Sequence, residues 1–298
     1  MGAAARARRN RRDRPVQNPE AETLKTLSPT RQALNYTALT VITVFMLLPF
    51  VWVFFGSFKT QAEFLGNPGA WFPESFQIQN YIQLFADRGF GTYMLNSIVV
   101  SSVAIVGNVL FSAMAGYALA KLRFRGRGLV FPLVIASMIV PYVALFVPQF
   151  VIVVQMGLVN SLIAIILPVL VLPLCVFIMR QFAHGVPFEL MEAARLDGAG
   201  EGRIFFRVFL PLTGPGLATV AILSFLTSWN NFLWPLVVAQ SQDTYTAPVG
   251  LSVASQASNT ISFGLLLAGA MVVLLPILIL FLFLQKYFIQ GVAATGLK

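Results

Sequence analysis

The sequence predicts an all-α polytopic membrane protein with six transmembrane helices, and three observations carry that prediction. Hydrophobic residues make up 57% of the chain and charged residues only 10%, where a soluble domain has about a quarter of its residues charged; the mean hydropathy is +0.79. Apolar runs long enough to cross a hydrocarbon core, roughly 20 residues each, alternate with polar segments. The formal net charge of +9 comes from Lys and Arg that flank those runs, a pattern set by membrane topology. No nucleic-acid partner is expected.

Residues 1–35 form a basic tail with Arg6, Arg8, Arg9, Arg11, Arg12, Arg14, Lys25 and Arg31. It is predicted to be disordered and cytoplasmic, and able to meet anionic membrane lipid. A secretory signal would place a short apolar stretch soon after the charges and end at a small-residue cleavage site. Here the first apolar run begins only near Tyr36 and is too long, so a retained helix is expected over 36–58, kinked at Pro49. Residues 59–93 read as an ordered external loop, and the region 36–93 is therefore the first helix with its loop.

A core of five further helices is expected over 94–290. The first of these covers 94–120, where Ser112, Gly116 and Ala120 recur at every fourth position and let another helix approach closely. A basic turn follows, with Lys121, Arg123, Arg125 and Arg127. Residues 129–179 then carry no charge and need two helices, joined by a hairpin at 155–161 around Gly157 and Asn160. After a polar loop, the fifth helix is expected over 208–238, a second polar loop over 239–262 and the sixth helix over 263–284. Residues 291–298 form a C-terminal tail.

Six helices put both termini on one side. All of the 20 Lys and Arg except Lys59 and Arg88 lie in the two terminal tails, the basic turn and the loop before the fifth helix. Segments rich in Lys and Arg stay in the cytoplasm, so both termini and that loop are predicted to face inward.

The loop contains the longest charged stretch of the second half. Pro187 suits the start of a helix and Gly198 the position just beyond its end. The intervening helix is too short to be stable in water without a packed face. Met191, Ala194 and Leu196 offer a thin apolar face, and Ala193 and Ala194 are small enough to admit a second surface. Docking against a partner is the expected completion.

Glu192-Ala193-Ala194, three residues, Gly198, nine residues and Val208-Phe209-Leu210-Pro211 resemble the EAA signature of permeases of bacterial ATP-binding-cassette importers. Val208 departs from the usual Ile. The Phe209–Gly216 run FLPLTGPG, the Trp229-Asn230-Asn231 run and the C-terminal GVAATGLK are similar to the maltose-type second permease of carbohydrate importers. The resemblance covers roughly 36–298. It implies a type I importer permease fold in a bacterial inner membrane, with a cytoplasmic coupling helix in an EAA loop over 182–212. Its expected partners are a homologous permease in a heterodimer, two copies of a cytoplasmic ATPase that bind ATP and Mg, and an extracytoplasmic solute-binding protein. By the same resemblance, Glu189, Met191, Glu192, Ala193, Ala194, Arg195, Asp197 and Gly198 couple to the ATPase. Glu192 is the expected polar contact, Ala193 and Ala194 allow close approach, and Gly198 makes the turn. The C-terminal tail would reach into the ATPase interface.

The chain itself holds no G-x-x-x-x-G-K-[ST] phosphate loop, no H-E-x-x-H and no G-x-S-x-G, so nucleotide hydrolysis falls to a partner. A lone His184 and a lone Cys175 offer no metal site and no internal disulfide. No enzyme activity, cofactor or metal is expected in this chain. The interiors of the expected helices also lack Asp, Glu, Lys and Arg, which speaks against ion coupling. A neutral, hydrogen-bonding solute fits the polar residues that remain: Asn96, Ser97, Ser101, Asn108, Gln149, Ser228, Asn230 and Asn231. Of these, Asn96, Asn108, Ser228, Asn230 and Asn231 are the candidate solute pathway. The run Ser228–Pro235 places two amides beside two indoles, which suits a sugar; it equally suits an interfacial aromatic belt with helix-bridging amides. The favoured function is a carbohydrate importer permease. The alternatives are the same permease for glycerol-3-phosphate or another polar solute, a stand-alone secondary carrier, and an intramembrane enzyme.

Overall fold

The structure, a computed structural model, describes residues 28–256 and 262–295. Fifteen α-helices cover most of the described residues. In chain order they are α1 (Pro29–Gly56), α2 (Gln61–Gly66), α3 (Gln79–Ala86), α4 (Phe90–Lys121), α5 (Arg127–Ile139), α6 (Tyr142–Gln155), α7 (Leu162–Ile166), α8 (Pro173–Gly185), α9 (Phe188–Leu196), α10 (Glu201–Ile204), α11 (Leu210–Leu212), α12 (Gly214–Trp229), α13 (Leu233–Val238), α14 (Ala247–Gln256) and α15 (Phe263–Thr295). Three unbroken helices, α1, α4 and the 263–283 part of α15, are long and apolar enough to cross a bilayer. Three bent pairs, α5 with α6, α7 with α8 and α10–α11 with α12, bring the number to six if each pair is one span.

The chain divides into two compact units, residues 1–53 and 54–298. In the first, Leu39, Val41, Phe45 and Met46 of α1 are all exposed, and none of the most apolar window of the helix is buried. A helix apolar on every side with no protein cover is a membrane span.

In the second unit α4 is the central pillar. Its buried residues include Tyr93, Ser97, Val100, Ala104, Gly107, Asn108, Ser112 and Gly116, a stripe at helical spacing made largely of small and polar side chains. Leu95, Val99, Val106, Phe111 and Met114 on its other sides are exposed. Small residues let a backbone come close where no hydrophobic force between helices exists in lipid. A Cβ on Gly116 would lie 2.8 Å from the main chain of Met179 and Arg180, and one on Gly107 would lie 2.4 Å from Leu170. Both spots are occupied by the span that contains α8.

That span bends by 44° between Val169 and Pro173, which frees main-chain groups that need partners inside the protein. Asn108 satisfies them. Its Nδ2 donates to Val169 O at 2.7 Å and its Oδ1 accepts from Leu172 N at 2.6 Å. Asn160, with φ +61, plays the same part for a loop: its Oδ1 accepts from Gln240 N, Ser241 N and Thr244 Oγ1 at 2.8, 3.0 and 2.6 Å. In the segment between α1 and α4, buried Lys59 donates to Ala70 O, and Asn80 Nδ2 bonds Ser57 O and Lys59 O.

Several expected boundaries change. The first helix starts at Pro29, so 29–35 are helical and only 1–27 of the expected tail lie outside the described residues. The span expected to precede the hairpin breaks at Val140-Pro141 into α5 and α6, bent by 102°. The expected fifth helix breaks twice. Thr213, followed by Gly214 and Pro215, sits at an 82° bend, and Asn230 caps the end of α12 before α13 begins. The loop expected over 239–262 contains α14. The last helix continues past residue 284 to Thr295, so 291–295 are helical, and the end of the expected tail, 296–298, lies outside the described residues.

Candidate functional site: the short helix between the fourth and fifth spans

Helix α9 is framed by backbone chemistry that its sequence dictates. Pro187 is its N-cap, one position earlier than expected. At the other end Gly198 has φ +78, a conformation that costs any L side chain. Gly198 N donates to Arg195 O at 3.0 Å and Ala199 N to Ala194 O at 2.9 Å, the paired bonds of a Schellman motif. Gly198 ends the helix for a conformational reason.

The helix has two faces. Met191 is fully buried and belongs to a core cluster with Ala183, Val186, Ile204, Phe205 and Phe209, against which Phe188 and Ala194 also pack. Met191 anchors the helix to its own protein, so the thin apolar face expected to meet a partner is split: Met191 is turned inward, Ala194 is half-buried and Leu196 stays outward. Glu189, Glu192, Ala193, Leu196 and Asp197 are exposed, and Leu196 is exposed to 89%. The outward face is thus acidic around a small apolar patch. Among the described residues the one ion pair is Arg195 Nε to Glu201 Oε1, at 2.7 Å, and it leaves Glu189, Glu192 and Asp197 unpaired. The hydrogen bond from Arg195 to Glu201 raises the guanidinium above its ordinary pKa.

Four residues that sequence reading did not assign to the site support this helix. Lys121, from the end of α4, donates to Val186 O at 2.5 Å, and Tyr117 Oη donates to Glu201 Oε2 at 2.6 Å. Two cations approach the Phe188 ring, Lys121 Nζ at 6.0 Å and the Arg195 guanidinium at 5.6 Å from its centroid. A cleft of about 350 Å³ separates the helix from the basic turn and is lined by Lys121, Leu122, Arg123, Phe188, Glu192, Arg195 and Glu201. No spacing rule links Tyr117 or Lys121 to residues so distant in the chain. The one usable signal was Lys121 itself, a cation directly at the end of an apolar run.

The five candidate pathway residues do not form one comparable cluster. Asn96 Nδ2 donates to Asp243 O and Tyr245 O at 2.7 and 2.9 Å, and Asn108 is occupied at the α7–α8 bend. Ser228 is buried and receives a hydrogen bond from Ser101 at 3.3 Å. Asn230 is exposed and donates back to Leu226 O, while Asn231 is half-buried. The indoles serve neither of their expected roles. Trp229 is 1% exposed and donates to Val273 O at 3.2 Å; Trp234 is fully buried and donates to Ala164 O at 2.9 Å. Their faces are core, and neither stacking on a sugar nor a lipid-interface belt is open to them.

Residues 108–294 match the family model of the binding-protein-dependent transport system inner membrane component. The chain belongs to this family. The permease is 42% identical over 268 residues to an arabinooligosaccharide transport system permease of Halalkalibacterium halodurans, covering 89% of this chain and 95% of the relative. It is 34% identical to a diacetylchitobiose uptake system permease of Streptomyces coelicolor, covering 89% and 88%. Its fold is shared with a chain of a bacterial transporter that imports the acidic polysaccharide alginate, with a TM-score of 0.75, 23% identity and coverage of 88% and 99%. The permease is therefore a multi-pass inner membrane component of a binding-protein-dependent importer with a type I permease fold. A transport subunit is what the resemblance implied.

Proposed function

We propose that this permease forms half of the translocation pathway of an ATP-driven importer for an oligosaccharide, and that α9 is its coupling helix. The observation that carries the reading is the two-faced helix α9, anchored inward by Met191 and presenting unpaired Glu189, Glu192 and Asp197 outward. An exposed acidic helix whose one cation, Arg195, is already paired with Glu201 suits a groove bearing basic groups, which a separate ATPase would provide. ATP and Mg belong to that partner. The distribution of Lys and Arg supports a cytoplasmic position for α9 and both termini, the side on which ATP is found.

The complete assembly then contains this chain, a homologous permease, two ATPase copies and an external solute-binding protein. Closure of the ATPases draws the coupling helices together, and the paired permeases pass from inward-facing to outward-facing. The names of the relatives favour oligosaccharides. The described spans carry charges only toward their ends, Arg180 in α8 among them, which favours a neutral solute over glycerol-3-phosphate, a solute that would require cations along its path.

The test is to purify the assembled complex in lipid nanodiscs and measure ATP hydrolysis with the binding protein and a panel of arabinose-, chitobiose- and maltose-type oligosaccharides. One of these is expected to stimulate hydrolysis several-fold. Stimulation by glycerol-3-phosphate alone would overturn the choice of solute. Solute flux through the isolated chain without an ATPase would overturn the mechanism and establish a secondary carrier.

A further inference from the structure

Helix α9 is tied to α4 at both ends. Lys121 Nζ holds Val186 O, one residue before the N-cap Pro187. Tyr117 Oη holds Glu201, and Glu201 in turn holds Arg195 in the last turn of α9. Tyr117 and Lys121 are one helical turn apart and so share a face of α4. Both anchors are buried, at 4% and 8% exposure, which strengthens their hydrogen bonds relative to exposed ones. Beneath them α4 meets the backbone of α8 directly at Gly116.

This arrangement offsets a weakness in the sequence. Gly198 and Gly200 lie in the loop after α9, and a lever mounted on so permissive a loop would lose its displacement in the loop. We propose that Tyr117 and Lys121 are positioning residues that clamp both ends of α9 to α4, so that movement of the docked helix is delivered to the central span. The proposal rests on α9 being the ATPase-docking helix. The clamp itself is a claim about this chain alone.

Tyr117→Phe removes one hydroxyl and keeps the ring that packs at 5.5 and 4.9 Å from Phe205 and Phe209. Lys121→Met keeps the apolar stem. Each would be placed in the full complex in nanodiscs, and amide hydrogen exchange of residues 186–201 would be followed with and without ATP and vanadate. In parallel, ATP hydrolysis and uptake of an arabinooligosaccharide probe would be measured in proteoliposomes. Exchange in that segment is expected to rise about threefold to tenfold in each variant, the factor for losing one hydrogen bond. Basal ATP hydrolysis should stay within about twofold while solute moved per ATP falls by a similar threefold to tenfold. Glu201→Gln, which leaves Tyr117 an acceptor but removes the ion pair with Arg195, should fall between wild type and Tyr117→Phe.

Wild-type exchange in both variants would overturn the clamp. So would a lower melting temperature with solute per ATP unchanged, which would mark the contacts as merely structural. The exchange measurement needs no solute. If the wild-type chain binds no ATPase, the reading of α9 fails, while exchange in the isolated permease still decides whether the clamp exists.

Discussion

Two polar regions of this permease, the loop helix α9 and the Ser228–Pro235 run, looked comparably eventful as sequence and are built in opposite ways. In the run, the most conspicuous polar groups turn inward: Trp229 and Trp234 give their N–H groups to Val273 O and Ala164 O. In α9 the apolar Met191 turns inward and three carboxylates turn outward. A polar group already satisfied by a main-chain carbonyl in the same chain stabilises the fold. An exposed row of unpaired charges on a helix too short to stand alone is a surface awaiting a partner.

Substitutions can break or sharpen this contrast, and the largest effect should come from the region both depend on. Gly116→Leu puts a side chain into the backbone of Met179 and Arg180, at 2.8 Å from the first atom added; no folded protein should be recovered by size-exclusion chromatography in detergent. Asn108→Leu leaves Val169 O and Leu172 N without partners, at about 1–3 kcal/mol for each buried group. Its melting temperature should drop sharply, and any protein that folds should transport with an ordinary KM, because Asn108 is engaged by the fold.

Substitutions in α9 should do the reverse. Gly198→Val forces a β-branched residue to φ +78, a strain of about 1–2 kcal/mol or more confined to the loop. Insertion should be normal, and uptake should fall about tenfold relative to ATP hydrolysis, the ratio that 1.4 kcal/mol represents. Glu192→Lys reverses an exposed charge and should change stability by less than about 0.5 kcal/mol. It should nonetheless weaken retention of the ATPase on an affinity column, more so at low salt than at high salt. Wild-type uptake in both α9 variants would remove the contrast. The smallest change is expected from Asn230→Ala. Asn230 is exposed and bonded only within its own helix, so stability should again move by less than about 0.5 kcal/mol, and a rise in KM without loss of folding would mark it as the one pathway candidate that meets solute.

The family and the position of α9 were legible in the sequence because they rest on local rules. Gly198 ends a helix through its own φ, and apolar runs of sufficient length cross a membrane whatever their neighbours. The breaks in the spans were less legible. Pro141 and the Thr213–Pro215 turn were visible as residues, but whether a proline kinks a helix gently or turns it by 102° depends on what receives the freed main-chain groups. The roles of Asn108, Trp229 and Trp234 were hidden for the same reason, since their partners are 61, 44 and 70 residues away.

The sequence by itself determined a helical membrane protein, the places where polar segments interrupt the spans and the signature that names the family, because periodicity, length and backbone preference act over a few residues. Only the tertiary structure decided which face of α9 is free, which amides are already engaged and that Tyr117 and Lys121 reach the loop. Those outcomes depend on long-range proximity between helices. In a bilayer that proximity is set by the fit of small residues such as Gly107 and Gly116 against a facing backbone, and no local pattern encodes it.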